Sequence, residues 1–177
     1  MFDYYFTDGE GKRILKELVF VTDKREKENK HIIEYFDKRE CKHTERALEA
    51  GDYTVMLPCI PDLGIMRPVH FANKIFVERK NSIEELCGNL GMNRDRFFTE
   101  MKRYPDAEKH LLVEGEKGWE DIIRGKYDSK VTAASLYGSL LALQTRYGLH
   151  VHFVPKELAG GHIRKILEAF IKKTLNI

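Results

Sequence analysis

The feature that most constrains the fold is a short apolar run that ends in charge: Ile75-Phe76-Val77 continues without a break into Glu78-Arg79-Lys80. A brief continuous apolar run bounded by charge reads as a buried strand. Alternation along that strand puts Glu78 and Lys80 on one face and Arg79 on the other. A further acid, Asp52, follows Gly51 and opens a strand-like run from Tyr53 to Leu57. Charge where a sheet normally buries its side chains is costly unless it is paired or holds a metal ion. Carboxylates and an ammonium at neighbouring strand ends suit metal-assisted hydrolysis of a phosphodiester. The acids hold a divalent cation, and the ammonium steadies the attacking water or the developing negative charge. Taken alone, this spacing is common, and a charged strand end is more often simply solvated.

Upstream, the apolar run Leu18-Val19-Phe20-Val21 reads as a central strand that delivers Asp23, followed by Lys24-Arg25-Glu26. Thr7 or Asp8 caps a helix to about Glu17, and a second helix ends near Lys38. A strand is expected between Thr44 and Glu49. Tyr53–Leu57 and Lys74–Arg79 are expected to pair as an antiparallel hairpin. The connection between them, Pro58 to Asn73, is long and carries three prolines. Loops of that length are often functional, and this one is expected beside the acidic site, either to touch DNA or, with equal weight, as a plain surface excursion. Ser82-Ile83-Glu84-Glu85 reads as a capping box opening a helix, with Ser82 and Glu85 bonding each other's backbone. Asn93 caps the next helix, Arg94 to Arg103. Leu111 to Val113 forms a core strand, and Trp119, Ile122 and Ile123 sit at helical spacing. A long helix from about Thr132 to Tyr147 stops at Gly148, Leu149 to Val154 gives the last strand, and a final helix runs from Glu157 to about Lys173. Helices between most later strands imply an α/β layered sheet in one domain over residues 1–177.

The joint pattern is more specific than any part of it. Asp23, Arg25 and Glu26, then Gly51 and Asp52, then Glu78, Arg79 and Lys80 resemble the nuclease domain of the XPF family of structure-specific endonucleases. The family string is V-D-x-R-E, then G-D, then E-R-K-x-x-x-D. The chain departs from it at Thr22, where the family has Val, and at Glu84, where the family has its last Asp. The resemblance runs from about Val19 to Lys173 and implies a restriction-endonuclease-like α/β/α fold, with a mixed central sheet and an antiparallel hairpin in its first half. It also implies a DNA endonuclease dependent on Mg²⁺ or Mn²⁺, with Asp52, Glu78 and Asp23 around the ion. Lys80 would orient the attacking water, and Arg25 and Arg79 would either contact phosphate or lock the acids in place. The alternation above favours a structural task for Arg79. Glu84 falls in the first turn of its helix, where the dipole favours a carboxylate, and that task is preferred to catalysis.

The implied substrate is duplex DNA near a flap, fork or junction. A junction-resolving or restriction-type enzyme would share the chemistry, and a non-catalytic scaffold of the same fold is the reading from another class. Many relatives add paired helix-hairpin-helix motifs, which these 177 residues do not include. In length the chain is like short stand-alone members from bacteria and bacteriophages. Relatives dimerise through the C-terminal part of the domain, so a homodimer is expected through the small residues of the Thr132–Tyr147 helix or the last helix.

Charge and composition set the remaining bounds. The formal net charge is only +2, so bulk electrostatics announce no nucleic-acid binder. Basic residues nevertheless cluster, with Arg25 beside the first acids and Arg96, Lys102 and Arg103 on one later segment. These are the candidate DNA contacts, and an ordinary solvated helix face is the alternative. Cys41, Cys59 and Cys87 lack zinc spacing. His70 and His110 stand alone in sequence, and His150 and His152 share a strand face. No apolar run approaches the ~20 residues of a membrane span, and the start has no signal-peptide shape, so a cytoplasmic location is expected.

Overall fold

The computed structural model describes residues 5–91 and 94–177, with the side chains of Arg94 and Arg96 outside the description. The expected cap at Asn93 therefore lies outside the described residues. The chain opens with α1 (Asp8–Glu17), where Thr7 and Glu10 complete a capping box. Strand β1 (Val19–Asp23) and α2 (Lys30–Lys38) follow, then β2 (Lys42–Arg46), β3 (Tyr53–Leu57), β4 (Val69–His70) and β5 (Ile75–Lys80). Next come α3 (Ile83–Leu90), α4 (Arg94–Arg103), β6 (Glu108–Glu114), α5 (Trp119–Ile123), α6 (Ala133–Tyr147), β7 (Leu149–Val154) and α7 (Ala159–Leu175).

One mixed sheet runs in the order β2-β1-β3-β5-β6-β7, with β4 beside the far end of β3. Strand β3 is antiparallel to both β1 and β5, whereas β5, β6 and β7 are parallel to one another. The alternation in β5 splits its residues between two cores. Ile75 and Val77 join the core that includes residues of α1, α2 and α7, while Phe76 joins the core with residues of α3, α4, α5 and α6. Helices therefore cover both faces, as βα crossovers between parallel strands require. No helix among the described residues is long and apolar enough to cross a membrane.

Four expectations change. The Pro58–Asn73 connection does not flank the acids. Because β3 and β5 are antiparallel, both of its ends, Leu57 and Ile75, lie at the opposite end of the sheet from Asp52 and Lys80. The loop instead packs an apolar cavity of about 260 Å³ with Phe6 and Leu175. The capping box of α3 is only half made: Ser82 Oγ accepts from the Glu85 N–H at 3.2 Å, but the Glu85 carboxylate accepts from the Asn81 N–H at 2.8 Å. Ile123 is exposed rather than packed. His110 is not isolated, because register places it opposite His150 and beside His152. His162 Nε2 lies 3.1 Å from His152 Nδ1, His152 Nε2 lies 2.9 Å from His110 Nδ1, and His110 Nε2 lies 3.3 Å from Glu108 Oε1.

Candidate active site

Gly51 is where the site begins. Its φ of +69° is a left-handed conformation, and a Cβ there would lie 2.6 Å from the Phe76 ring. Only glycine meets both conditions without strain. The turn brings Asp52 against the end of β5, where the Asp52 N–H donates to the Val77 carbonyl at 2.9 Å. Its carboxylate Oδ2 accepts from the Arg79 N–H at 2.8 Å. Across the same strand end, Lys80 Nζ donates to Glu78 Oε1 at 2.7 Å.

Asp52, Glu78 and Lys80 line a cleft of about 380 Å³ together with Arg25, Glu26, Glu28, Asn81, Glu85, Asn89 and Glu100. Burial, and then the charge of Glu78, hold the Asp52 carboxyl well above its usual range. Burial also raises Glu78, and the Lys80 ammonium only partly offsets it. For Lys80, burial alone would lower the ammonium, but Glu78 and Asp52 outweigh it and raise the pKa. The sheet face thus carries two carboxylates for one ammonium. Excess negative charge on buried hard oxygens suits a divalent cation such as Mg²⁺. Among the described residues no group of three or more His, Cys, Asp or Glu side chains is placed to hold a metal ion. A cation at Asp52 and Glu78 would therefore draw much of its shell from water, as Mg²⁺ commonly does.

Asp23 is expected at the ion, and the structure gives its carboxylate other partners. Oδ1 accepts from the backbone N–H and Nε of Arg25, and Oδ2 accepts from Arg25 Nη2 and the Leu48 N–H. Burial raises its pKa, but these donors outweigh burial and leave it lowered. With its lone pairs filled and its side chain absent from the cleft lining, Asp23 anchors Arg25. The Arg25 side chain, 58% exposed, also donates to the Leu48 carbonyl at 2.7 Å and lines the cleft.

Arg79 points to the opposite face. Its Nε donates to Glu114 Oε1 at 2.7 Å, and His31 Nε2 lies 2.6 Å from the same oxygen. Glu26 is held between Arg79 Nη1, at 3.5 Å, and the Glu28 N–H, at 3.0 Å. Glu114 and His31 went unnoticed in the sequence, since each sits more than 30 residues from Arg79. Of the basic residues on α4, Arg103 lies 3.6 Å from Glu49 and Lys102 is exposed. Neither lines the cleft, although Glu100 on the same helix does. The Arg96 side chain lies outside the described residues. Glu84 is also outside the lining; its carboxylate accepts from the Asp128 N–H at 3.1 Å.

The model of the ERCC4 domain family matches residues 22–163. No curated protein matches the chain. Among solved structures the chain is similar to XPF from Aeropyrum pernix, with a TM-score of 0.60 and 19% identity over 86% of this chain and 61% of that one. It is also similar to XPF from Aeropyrum pernix in complex with DNA, with a TM-score of 0.60 and 20% identity over 88% of this chain and 66% of that one. It therefore spans roughly three fifths to two thirds of those chains. At this identity the likeness concerns the fold, a restriction-endonuclease-like α/β/α arrangement around a mixed sheet.

Proposed function

Because the chain belongs to the ERCC4 domain family, we propose that it is a metal-dependent endodeoxyribonuclease acting on branched or flap-type duplex DNA. The observation that carries this reading is the convergence of Asp52, Glu78 and Lys80 at one cleft, with the acids in excess of the ammonium. In this proposal Asp52 and Glu78 hold Mg²⁺ or Mn²⁺. The bound ion supplies a lowered pKa for a coordinated water and offsets charge on the scissile phosphate. Lys80, on the same strand face, orients the attacking water or offsets charge on the phosphoryl oxygens.

Arg25 enters the cleft already oriented by Asp23 and Leu48, so little side-chain entropy is lost when it meets a phosphate. Arg79 acts from the other face, where its pairing with Glu114 fixes the strand end while its N–H fixes Asp52. Lys102 and Arg103 lie on the helix that contributes Glu100 and serve as contacts to the DNA backbone. Affinity for DNA then falls with added salt.

The test is cleavage of end-labelled flap, fork and junction duplexes in Mg²⁺ or Mn²⁺, with chelator as control. Asp52→Ala and Lys80→Ala are expected to abolish cleavage while the fold persists. Robust cleavage in chelator, or by both variants, refutes the mechanism. A folded protein that binds these DNAs and cuts none in Mn²⁺ supports a non-catalytic scaffold instead.

A further inference from the structure

Lys80 creates a difficulty for any cation at Glu78, and its solution is in the first turn of α3. The Lys80 ammonium sits on Glu78 Oε1 at 2.7 Å, with both side chains 8% exposed. A divalent cation approaching that carboxylate meets the ammonium already there. Even on the other oxygen of that carboxylate, a divalent cation sets two positive charges against the ammonium and weakens the Lys80–Glu78 bond, and a buried ammonium left without a partner is costly. A second acceptor stands close by: Glu85 Oε1 lies 3.7 Å from Lys80 Nζ. Glu85 is 39% exposed and lines the same cleft.

The motif places its last acid one position earlier, at Glu84, but helix phase selects Glu85. Neighbouring helical residues point about 100° apart, so only one of the two can face the strand end. Ser82 starts α3 such that Glu84 turns out to the Asp128 N–H while Glu85 turns back. Glu85 Oε2 is anchored by the Asn81 N–H at 2.8 Å, which holds Oε1 near Lys80. A movement of the ammonium by about 1 Å converts the 3.7 Å approach into a normal charge-assisted hydrogen bond.

Resting on the cation reading above, we propose that Glu85 is a positioning residue that receives the Lys80 ammonium when a divalent cation takes Glu78. The exchange keeps Lys80 charged, paired and inside the cleft, where its place in the reaction requires it. Glu85→Gln separates this task from a purely structural one, because the amide oxygen still accepts from the Asn81 N–H and only the charge is lost.

The experiment is calorimetric titration of Mn²⁺ into the metal-free wild type, Glu85→Gln, Lys80→Gln and the double variant, with Glu84→Gln and Glu85→Asp alongside. Glu85→Gln is expected to weaken Mn²⁺ binding about fivefold, the scale of a half-exposed ion pair. The same substitution in the Lys80→Gln background is expected to have no effect, because a residue acting through Lys80 has nothing left to receive. Glu85→Asp restores most of the affinity, and Glu84→Gln leaves it unchanged. An equal loss in both backgrounds overturns the proposal, since Glu85 then acts on the ion directly. So does undiminished binding by Glu85→Gln. A wild type that binds no Mn²⁺ defeats the cation reading itself and this inference with it.

Discussion

Replacing Lys80 with methionine keeps an unbranched apolar stem of similar length and removes the ammonium bonded to Glu78. The two side chains are 8% exposed and 2.7 Å apart. Removing one member of such a buried pair typically costs about 3–5 kcal/mol, because the other charge is left uncompensated. Here the loss has a ceiling, since the stranded carboxyl can escape by taking a proton. From the ordinary value of 4.5, protonating a glutamate at about pH 7 costs about 3.4 kcal/mol. At about pH 5 the same escape costs only about 0.7 kcal/mol. In the variant the carboxyl has a folded-state pKa raised above its unfolded value. Its penalty is therefore absent at low pH and grows as pH rises. Lys80→Met should thus destabilise the metal-free protein by about 2–3 kcal/mol near pH 7 and by less than about 1 kcal/mol near pH 5. Asp52→Asn should move the other way at neutral pH and stabilise the metal-free protein, because it relieves the carboxylate excess. Urea unfolding in chelator at both pH values measures these differences. A Lys80→Met penalty that is equal at both pH values would trace the loss to packing and refute the charge argument.

Stability should also carry a signature of the histidine chain. Burial and neighbouring imidazoles push His110 and His152 down to about 4 from 6.5, so their contribution is complete above about pH 6.5 and is lost as pH falls toward 4. For His110, the more buried of the two, the loss at about pH 5 is at most roughly 2 kcal/mol; a His110→Gln, His152→Gln protein should lack it, and an unchanged pH dependence would count against the effect. Assembly is decided by light scattering at micromolar concentration. A homodimer is offered through the small-residue helix α6, where Tyr137 and Leu141 are exposed, or through α7, and a mass that stays near 20.7 kDa as concentration rises would rule it out.

What could be read from the sequence was what alternation and short-range spacing determine. Glu78 and Lys80 share a face because they are two apart in a strand. Arg79 turns away for the same reason, and Gly51 marks a turn into Asp52, whose left-handed φ only the structure gives. The roles that changed depend on where separate segments meet. Asp23 looks like a ligand until the Leu48 N–H, 25 residues on, fills one of its oxygens. The Pro58–Asn73 loop looks functional by its length, yet the antiparallel pairing of its flanking strands sends it to the far end of the sheet. Glu84 stays out of the cleft, as its place in the first turn suggested, but one step of helix phase gives the cleft to Glu85, which the sequence did not single out. His110 meets His152 and His162 only through the register of β6 with β7 and the seating of α7. Apart from that local helix phase, these contacts are set by tertiary register, and an error of one residue in a strand would exchange its two faces. The catalytic candidates escape that sensitivity because the Gly51 turn ties Asp52 to the backbone of Val77 and Arg79 directly. The register of the acidic cluster is thus written into the two segments that bear it.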